Sequence, residues 1–197
     1  MKNYNEMKKF VKNSNGIITY SAMIENGISK YYITKLVKDN IIKKYSRGIY
    51  VRNDIFEDDF YILQQKNSKI IFSFNTALYF LNETERTPDK IDITVYKGYN
   101  VHRLSKNLRI HYVTKQNWDL GVIEVETIYG FKVKTYNLER TLCDIIRSNN
   151  TGIDKEQTNK FIQKMIMKNK VNSIVLMDYA KKLNCEKKIK EIIDILI

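Results

Sequence analysis

The spacing of apolar residues over the first 52 positions predicts three short helices followed by a hairpin. The first helix is expected over residues 4–13, where the spacing of one buried stripe is kept by Tyr4, Met7, Phe10 and Val11. A second helix begins at Thr19 or Ser21 and ends near Asn26, and a third runs from Ser29 to about Asn40. Residues 41–52 form the hairpin, with its turn at 46–48. This order of elements is typical of a winged helix-turn-helix domain.

The third predicted helix separates into an apolar and a polar side. Tyr32, Ile33, Leu36 and Val37 form a stripe that is expected to pack on the first two helices. The opposite side carries Lys30, Tyr31, Thr34, Lys35 and Lys38, and the hairpin adds Lys43, Lys44 and Arg47. In a helix-turn-helix the second helix of the pair enters the major groove, and the wing contacts the backbone or the minor groove. These eight residues are therefore the candidate DNA contacts; the alternative is an ordinary solvated helix face.

The distribution of charge favours the DNA interpretation. The chain has a formal net charge of +12, and residues 1–52 hold 11 basic against three acidic residues. Two-thirds of the excess positive charge thus lies in the first quarter of the chain. A polyanion is the expected partner of such a segment, and double-stranded DNA is the candidate that the helix order favours.

An acidic stretch follows this basic segment and predicts a domain boundary. Residues 53–59 contain four carboxylates in seven positions, so we expect a solvated hinge between a domain at 1–52 and a larger one at 60–197. Helical patterns come first in the larger domain, at 59–66 and 75–81. Strands are predicted at 90–96, 108–114, 121–127 and 131–136, and helices at 138–147, 154–168, 172–183 and from 186 to the end. The expected class is α+β, with a mainly antiparallel sheet flanked by helices.

One of these later helices carries a row of lysines. Lys155, Lys160, Lys164 and Lys168 lie on one side of the helix at 154–168, opposite Phe161, Ile162, Met165 and Ile166. A solvated face explains the row; the alternative is a surface for a second polyanion such as an RNA.

Signatures of catalysis and of cofactor binding are missing from the sequence. It has no glycine-rich phosphate loop and no nucleophile elbow, and its two histidines, His102 and His111, have no partner at a metal-ligand spacing. Pro88 and Asp89 resemble the start of one metal-dependent nuclease signature, but the acidic residue two positions before a lysine that this signature requires is absent, so the pair is expected to form a turn. Cys143 and Cys185 are expected to be buried thiols. We therefore expect no enzyme activity, metal or cofactor, although an enzyme that modifies nucleic acid remains an alternative.

No apolar run reaches the roughly 18–20 residues of a membrane helix, so a cytoplasmic protein without a membrane partner is expected.

Several segments taken together resemble the AbiEi family of antitoxins, which belong to type IV toxin–antitoxin systems of abortive phage infection. The resembling segments are the early helix-turn-helix with residues 47–50, and the stretches at 72–81, 86–88, 97–100 and 139–144. Single motifs are short, but their order and spacing extend over nearly the whole chain. Phe74 departs from the pattern, because a histidine is expected at that position.

The resemblance implies a regulatory function in antiviral defence. Members of the family are transcriptional autorepressors whose winged helix binds inverted repeats in their own promoter. Their C-terminal domain counteracts a nucleotidyltransferase-like toxin, in many cases without a stable complex. The alternative is a stand-alone winged-helix transcription factor whose C-terminal domain senses a ligand or dimerises.

Overall fold

A computed structural model describes residues 3–84, 87–102, 104, 107–148 and 155–194, with the side chains of 155–158 excepted. Arg86 of the family-like segment, Asp154 at the expected start of a helix, the Lys155 side chain and the last three residues lie outside this description. In the described part of the chain, no helix is both long and apolar enough to cross a membrane.

The fold belongs to the α+β class. The helices are α1 (Tyr4–Asn13), α2 (Tyr20–Glu25), α3 (Lys30–Lys38), α4 (Asp59–Lys66), α5 (Phe74–Phe80), α6 (Leu138–Arg147), α7 (Lys155–Met167), α8 (Ser173–Lys182) and α9 (Glu186–Asp194). The strands are β1 (Ile17–Thr19), β2 (Ile42–Ser46), β3 (Ile49–Arg52), β4 (Ile71–Phe72), β5 (Ile91–Tyr96), β6 (Leu108–Val113), β7 (Val122–Glu126) and β8 (Lys132–Tyr136). The sequence pattern predicted these elements to within a few residues, except for β1 and β4. Those two strands span only three and two residues, too few for an alternating pattern to be recognised.

Contacts divide the chain into two units, of which the first comprises Met1–Ser68 and Glu126–Val133. Its sheet has the order β1-β3-β2 with antiparallel neighbours. One core, built on α1, α2 and α3, contains Met7, Val11, Ile18, Met23, Ile28, Ile33, Leu36 and Ile42. A second apolar cluster joins Ile17, Ile49 and Val51 of the sheet to Ile62 of α4 and to Phe131.

Residues 53–59 therefore lie within the first unit, whereas the sequence pattern placed a hinge there. Asp58 is only 1% exposed. It caps α4 by accepting a hydrogen bond from the backbone N–H of Tyr61 at 2.9 Å, and it accepts another from the hydroxyl of Thr127. A carboxylate that accepts two hydrogen bonds inside the fold looks, in the sequence, like a solvated one, and this explains the difference.

The second unit comprises Lys69–Val125 and Lys134–Ile197. Its five strands are ordered β6-β5-β4-β8-β7. β5 is antiparallel to β4 but parallel to β6, and β4 is parallel to β8. The sheet is thus mixed rather than mainly antiparallel. Alternation along a strand indicates which side chains face the core, but not the direction of the neighbouring strand.

Helices α5 to α9 share one apolar core in the second unit. Its members include Leu142, Ile162, Leu176 and Ile189. Cys143 and Cys185 are free thiols buried in the same core, as expected from the sequence. The structure adds that they are neighbours: a hydrogen bond to Cys185, together with burial, raises the pKa of the Cys143 thiol.

Candidate nucleic-acid interface

The side of α3 that was predicted to be polar is exposed along its whole length. Ile33 and Leu36 are buried, at 2% and 0% exposure, and hold the helix on the core of the first unit. The opposite side, which we call the α3 face, comprises Lys30, Tyr31, Thr34, Lys35 and Lys38, all exposed. These residues and Asp39 line an open depression of about 560 Å³.

The connection between α2 and α3 determines how α3 is presented. Gly27 adopts a φ of +79°, and the N–H of Ile28 donates to the carbonyl of Met23 at 2.9 Å while that of Gly27 donates to Ile24, also at 2.9 Å. This hydrogen-bond pair is a Schellman motif, which ends one helix and turns the chain sharply. Ile28 and Met23 are both 0% exposed, so the turn is also held by apolar packing. Thr19 caps the start of α2 by accepting from the N–H of Ala22.

The three predicted hairpin residues do not share one face of the sheet. Lys44 pairs with Tyr50, which packs on the core that contains α3, so Lys44 lies on the same side as α3. Lys43 pairs with Val51, which belongs to the second apolar cluster on the other side. Arg47 is exposed at the turn between β2 and β3. A register shift between Lys44 and Ser46 interrupts the pairing just before this turn.

Acidic side chains cover the side of the hairpin that carries Lys43. The Lys43 Nζ lies 2.5 Å from Glu57 Oε1, and this hydrogen bond holds the pKa of Glu57 below its ordinary value. Tyr45 donates its hydroxyl proton to Asp59, and this bond, together with burial, raises the pKa of Tyr45 to about 12. Residues 53–59 thus neutralise this side of the hairpin.

Positive charge remains unpaired on the α3 face, on the α3 side of the hairpin and at the hairpin turn. Within the described part of the chain, Lys30, Lys38, Lys44 and Arg47 have no acidic partner at ion-pair distance. The ammonium of Lys35 lies 4.4 Å from the centroid of the Tyr4 ring rather than beside a carboxylate. Five of the six predicted basic residues are therefore free to meet an external anion.

Sequence reasoning missed the contribution of α1 to this surface, because Tyr4 was assigned to the buried stripe. Tyr4 is in fact half-buried: it stacks on Tyr32 with centroids 5.9 Å apart and donates to Asp39 Oδ2 at 2.6 Å. Lys8 also lies over the Tyr4 ring, at 4.7 Å from its centroid. Burial and the Asp39 hydrogen bond raise the pKa of Tyr4 to about 12. The ring thus places Lys8 next to Lys35 and extends the basic surface beyond α3.

The lysine row on α7 is also exposed where it is described. Lys160, Lys164 and Lys168 face solvent, while Ile162 and Met165 are buried in the core of the second unit. This arrangement agrees with the predicted sidedness of the helix, and a solvated face accounts for it.

Comparisons with known proteins bear on the fold alone. No protein-family model and no curated protein matches the sequence. The chain is similar in fold to the crystal structure of the Rv2827c protein from Mycobacterium tuberculosis, with a TM-score of 0.60 and 10% sequence identity. The match covers 92% of this chain and 72% of that chain. Similarity at this level of identity supports a shared architecture and carries no statement about activity.

Proposed function

We propose that the chain is a DNA-binding regulator whose first unit docks on double-stranded DNA as a winged helix-turn-helix. In this proposal α2 and α3 are the helix pair, α3 enters the major groove, and the β2–β3 hairpin is the wing. The observation that carries the proposal is the unpaired positive charge on the α3 face, on Lys44 and on Arg47.

The arrangement of α3 suits insertion into a groove. Its N-terminal residues, Lys30 and Tyr31, are exposed, and Tyr31 is 69% exposed. Lysine donates to phosphates or guanine edges, and tyrosine hydroxyls commonly reach phosphates. Thr34 donates its hydroxyl proton to the carbonyl of Lys30 at 3.0 Å, so its methyl group is the part left for contact with a thymine methyl.

The biological function that we propose rests on the resemblance to AbiEi antitoxins. The chain would repress its own promoter through inverted repeats and counteract a nucleotidyltransferase-like toxin encoded beside it, without needing a stable complex. A stand-alone transcription factor is the second candidate, because the basic surface of the first unit supports either function equally.

DNA docking is tested by removing two cations that form no ion pair with the described residues. The variant Lys38→Ala/Arg47→Ala is compared with Lys9→Ala/Lys66→Ala, which removes the same charge from exposed positions on α1 and α4. Binding to the chain's own upstream DNA is measured by fluorescence anisotropy over a series of salt concentrations. Each lost phosphate contact lowers the slope of log K against log salt by about one, so the first variant is expected to lose about two. Equal affinity and slope for the two variants would exclude this face as the docking surface.

The antitoxin function is tested with the same variant and the neighbouring gene. Co-expression of the intact chain with the neighbouring toxin is expected to restore growth. Lys38→Ala/Arg47→Ala should restore growth as well while failing to repress a promoter reporter, because the two functions are assigned to different units. Failure of the intact chain to restore growth would exclude the antitoxin function and leave the stand-alone transcription factor as the remaining candidate.

A further inference from the structure

A cleft in the second unit lies outside the proposed DNA interface. It has a volume of about 310 Å³ and is bordered by the edge strand β6 and the C-terminal end of α6. His111 of β6, Thr94 of β5, and Asp144 and Arg147 of α6 contribute polar groups to its lining. Volumes of a few hundred Å³ with a few convergent polar groups are typical of sites for small molecules.

The His111 ring on one wall is oriented by a buried carboxylate. Asp92 is 0% exposed and lies on β5, two residue pairs away from His111 in the parallel β5–β6 register. Its Oδ1 is 2.8 Å from Nε2 of His111, and Arg109 approaches both of its oxygens at 3.3 and 3.4 Å. Because Nε2 is directed at Asp92, Nδ1 is the remaining polar atom of the ring, and it has no hydrogen-bond partner among the described residues.

A strained residue packs on the same ring. Phe74 has a φ of +48°, a left-handed conformation that an aromatic residue rarely adopts. Its ring stacks on the imidazole of His111 with centroids 3.7 Å apart. Backbone strain persists where the surrounding structure requires it, often at binding sites. Here the stacked Phe74 ring fixes the plane of the His111 ring beside the cleft.

The carboxylate on the opposite wall already has partners of its own. Asp144 Oδ2 accepts from Nε of Arg140 at 2.9 Å, and Oδ1 lies 3.5 Å from Arg147. Burial raises the pKa of Asp144, against the opposing effect of Arg140. Asp92 and Asp144 are thus each paired with an arginine behind the cleft wall, Arg109 and Arg140 respectively. The positive charge of Arg147, which lines the cleft, is left in excess.

Arg147 holds the charge that is available to a ligand. Its side chain is 37% exposed, and its contact with Asp144 uses one nitrogen at a long distance. A guanidinium group presents five N–H donors in a planar fork that suits the paired oxygens of phosphates and carboxylates. A bound cation is disfavoured because both carboxylates are engaged by arginine. No cluster of three metal-ligating side chains occurs in the described ranges either.

We propose that this cleft binds a small ligand through a phosphate or carboxylate group, which is held by the Arg147 guanidinium and the His111 imidazole. The guanidinium group donates two hydrogen bonds to the oxyanion, and Nδ1 of His111 donates a third when the ring is doubly protonated. Thr94, whose hydroxyl bonds Ser73 Oγ at 2.9 Å, lines the floor without adding charge. The proposal concerns the second unit alone and does not depend on DNA binding.

The test titrates the intact chain with three probes: inorganic phosphate, adenosine monophosphate and malonate. Ionic strength is held constant with chloride, and binding is followed by calorimetry and by ¹H–¹⁵N chemical shifts. Saturable binding in the millimolar range or tighter is expected, with shifts centred on His111 and Arg147. Binding of the two phosphate compounds but not malonate would identify a phosphate site, and the converse a carboxylate site.

Two variants of equal charge make the test specific. Arg147→Met is expected to weaken binding about tenfold or more, as expected for the loss of a charge-assisted hydrogen-bond pair. Lys164→Met removes one exposed positive charge from α7 and should leave binding unchanged. Thermal unfolding of each variant confirms that it is folded. Absence of saturable binding, retention of binding by Arg147→Met, or an equal loss in Lys164→Met would each overturn the proposal.

Discussion

Arg140 and Asp144 form an ion pair inside the second unit, one helical turn apart on α6, with Nε donating to Oδ2 at 2.9 Å. The guanidinium is 0% exposed and lies 4.2 Å from the centroid of the Tyr136 ring. Its Nη1 donates to the carbonyls of Asn117 and Leu120 at 2.6 and 2.9 Å. Arg140 thus links α6 to the segment before β7.

Replacing Arg140 by methionine should lower the free energy of unfolding by about 3–5 kcal/mol, because it leaves Asp144 without its closest partner and two carbonyls without donors. The control is Lys182→Met, which breaks the Lys182–Asp178 pair on α8. That pair has the same spacing and a similar length of 2.7 Å, but both side chains are about half exposed. Its loss should cost less than about 1 kcal/mol. Urea unfolding measures both, and equal costs would show that burial does not determine the contribution of the pair.

The segment Glu126–Val133 should contribute to the stability of the first unit. Phe131 is 9% exposed and stacks on Tyr61 with centroids 4.7 Å apart. Phe131→Ala is expected to destabilise this unit by about 3–5 kcal/mol, whereas Ile128→Ala should have little effect, because Ile128 is 80% exposed. Hydrogen exchange at Ile17 and Val51 provides the local measurement. Unchanged protection in Phe131→Ala would support the independent 1–52 domain that the sequence pattern predicted.

The two neighbouring lysines of β2 should differ in their effect on DNA binding. Lys44→Ala is expected to weaken binding and to lower the salt slope by about one, since its charge is unpaired on the side of α3. Lys43→Ala should change neither, because Lys43 lies on the other side of the sheet and is bound to Glu57. Anisotropy titrations at several salt concentrations distinguish the two. A larger effect of Lys43→Ala would place the DNA on the opposite side of the hairpin.

Ionisation of Tyr4 should destabilise the first unit at high pH. Its pKa is raised from 10.0 to about 12, so the folded state retains the proton more strongly than the unfolded state. The stabilisation is therefore complete below pH 10 and is lost as the pH rises towards 12. Tyr4→Phe keeps the ring that stacks on Tyr32 but removes the hydroxyl. Urea unfolding at pH 8, 10 and 12 should show that the difference in free energy of unfolding between the wild type and Tyr4→Phe shrinks as the pH rises. A difference that does not change with pH would contradict the raised pKa of Tyr4.

Helix positions and helix ends were predictable because their signals are local. The α3 face follows from the spacing of Lys30, Thr34 and Lys38 alone, since residues three and four apart share a side of a helix. Asparagine marks several helix ends: Asn40, Asn82, Asn169 and Asn184 all adopt positive φ just after a helix. Such signals act over a few residues and do not depend on the rest of the chain.

Pairings between distant residues were not predictable, because they depend on strand register and helix packing, which local spacing does not reveal. His111 read as an isolated histidine, yet the parallel register of β5 and β6 brings it to Asp92. Cys143 and Cys185 were expected to be buried, but their proximity required α6 and α9 to pack together. Lys43 and Lys44 looked equivalent until the side of the sheet that each occupies was known.

By itself, the sequence determined the α+β class, the position of nearly every helix and the concentration of positive charge in the first 52 residues. These properties depend on local spacing, on capping residues and on composition. Only the tertiary structure decided that residues 53–59 belong to the first unit, which lysine of the hairpin remains unpaired, and that a cleft forms around His111 and Arg147. A carboxylate in an acidic run can be solvated, capped or paired. The choice depends on which donors the fold brings within about 3 Å of it, the distance over which a hydrogen bond operates.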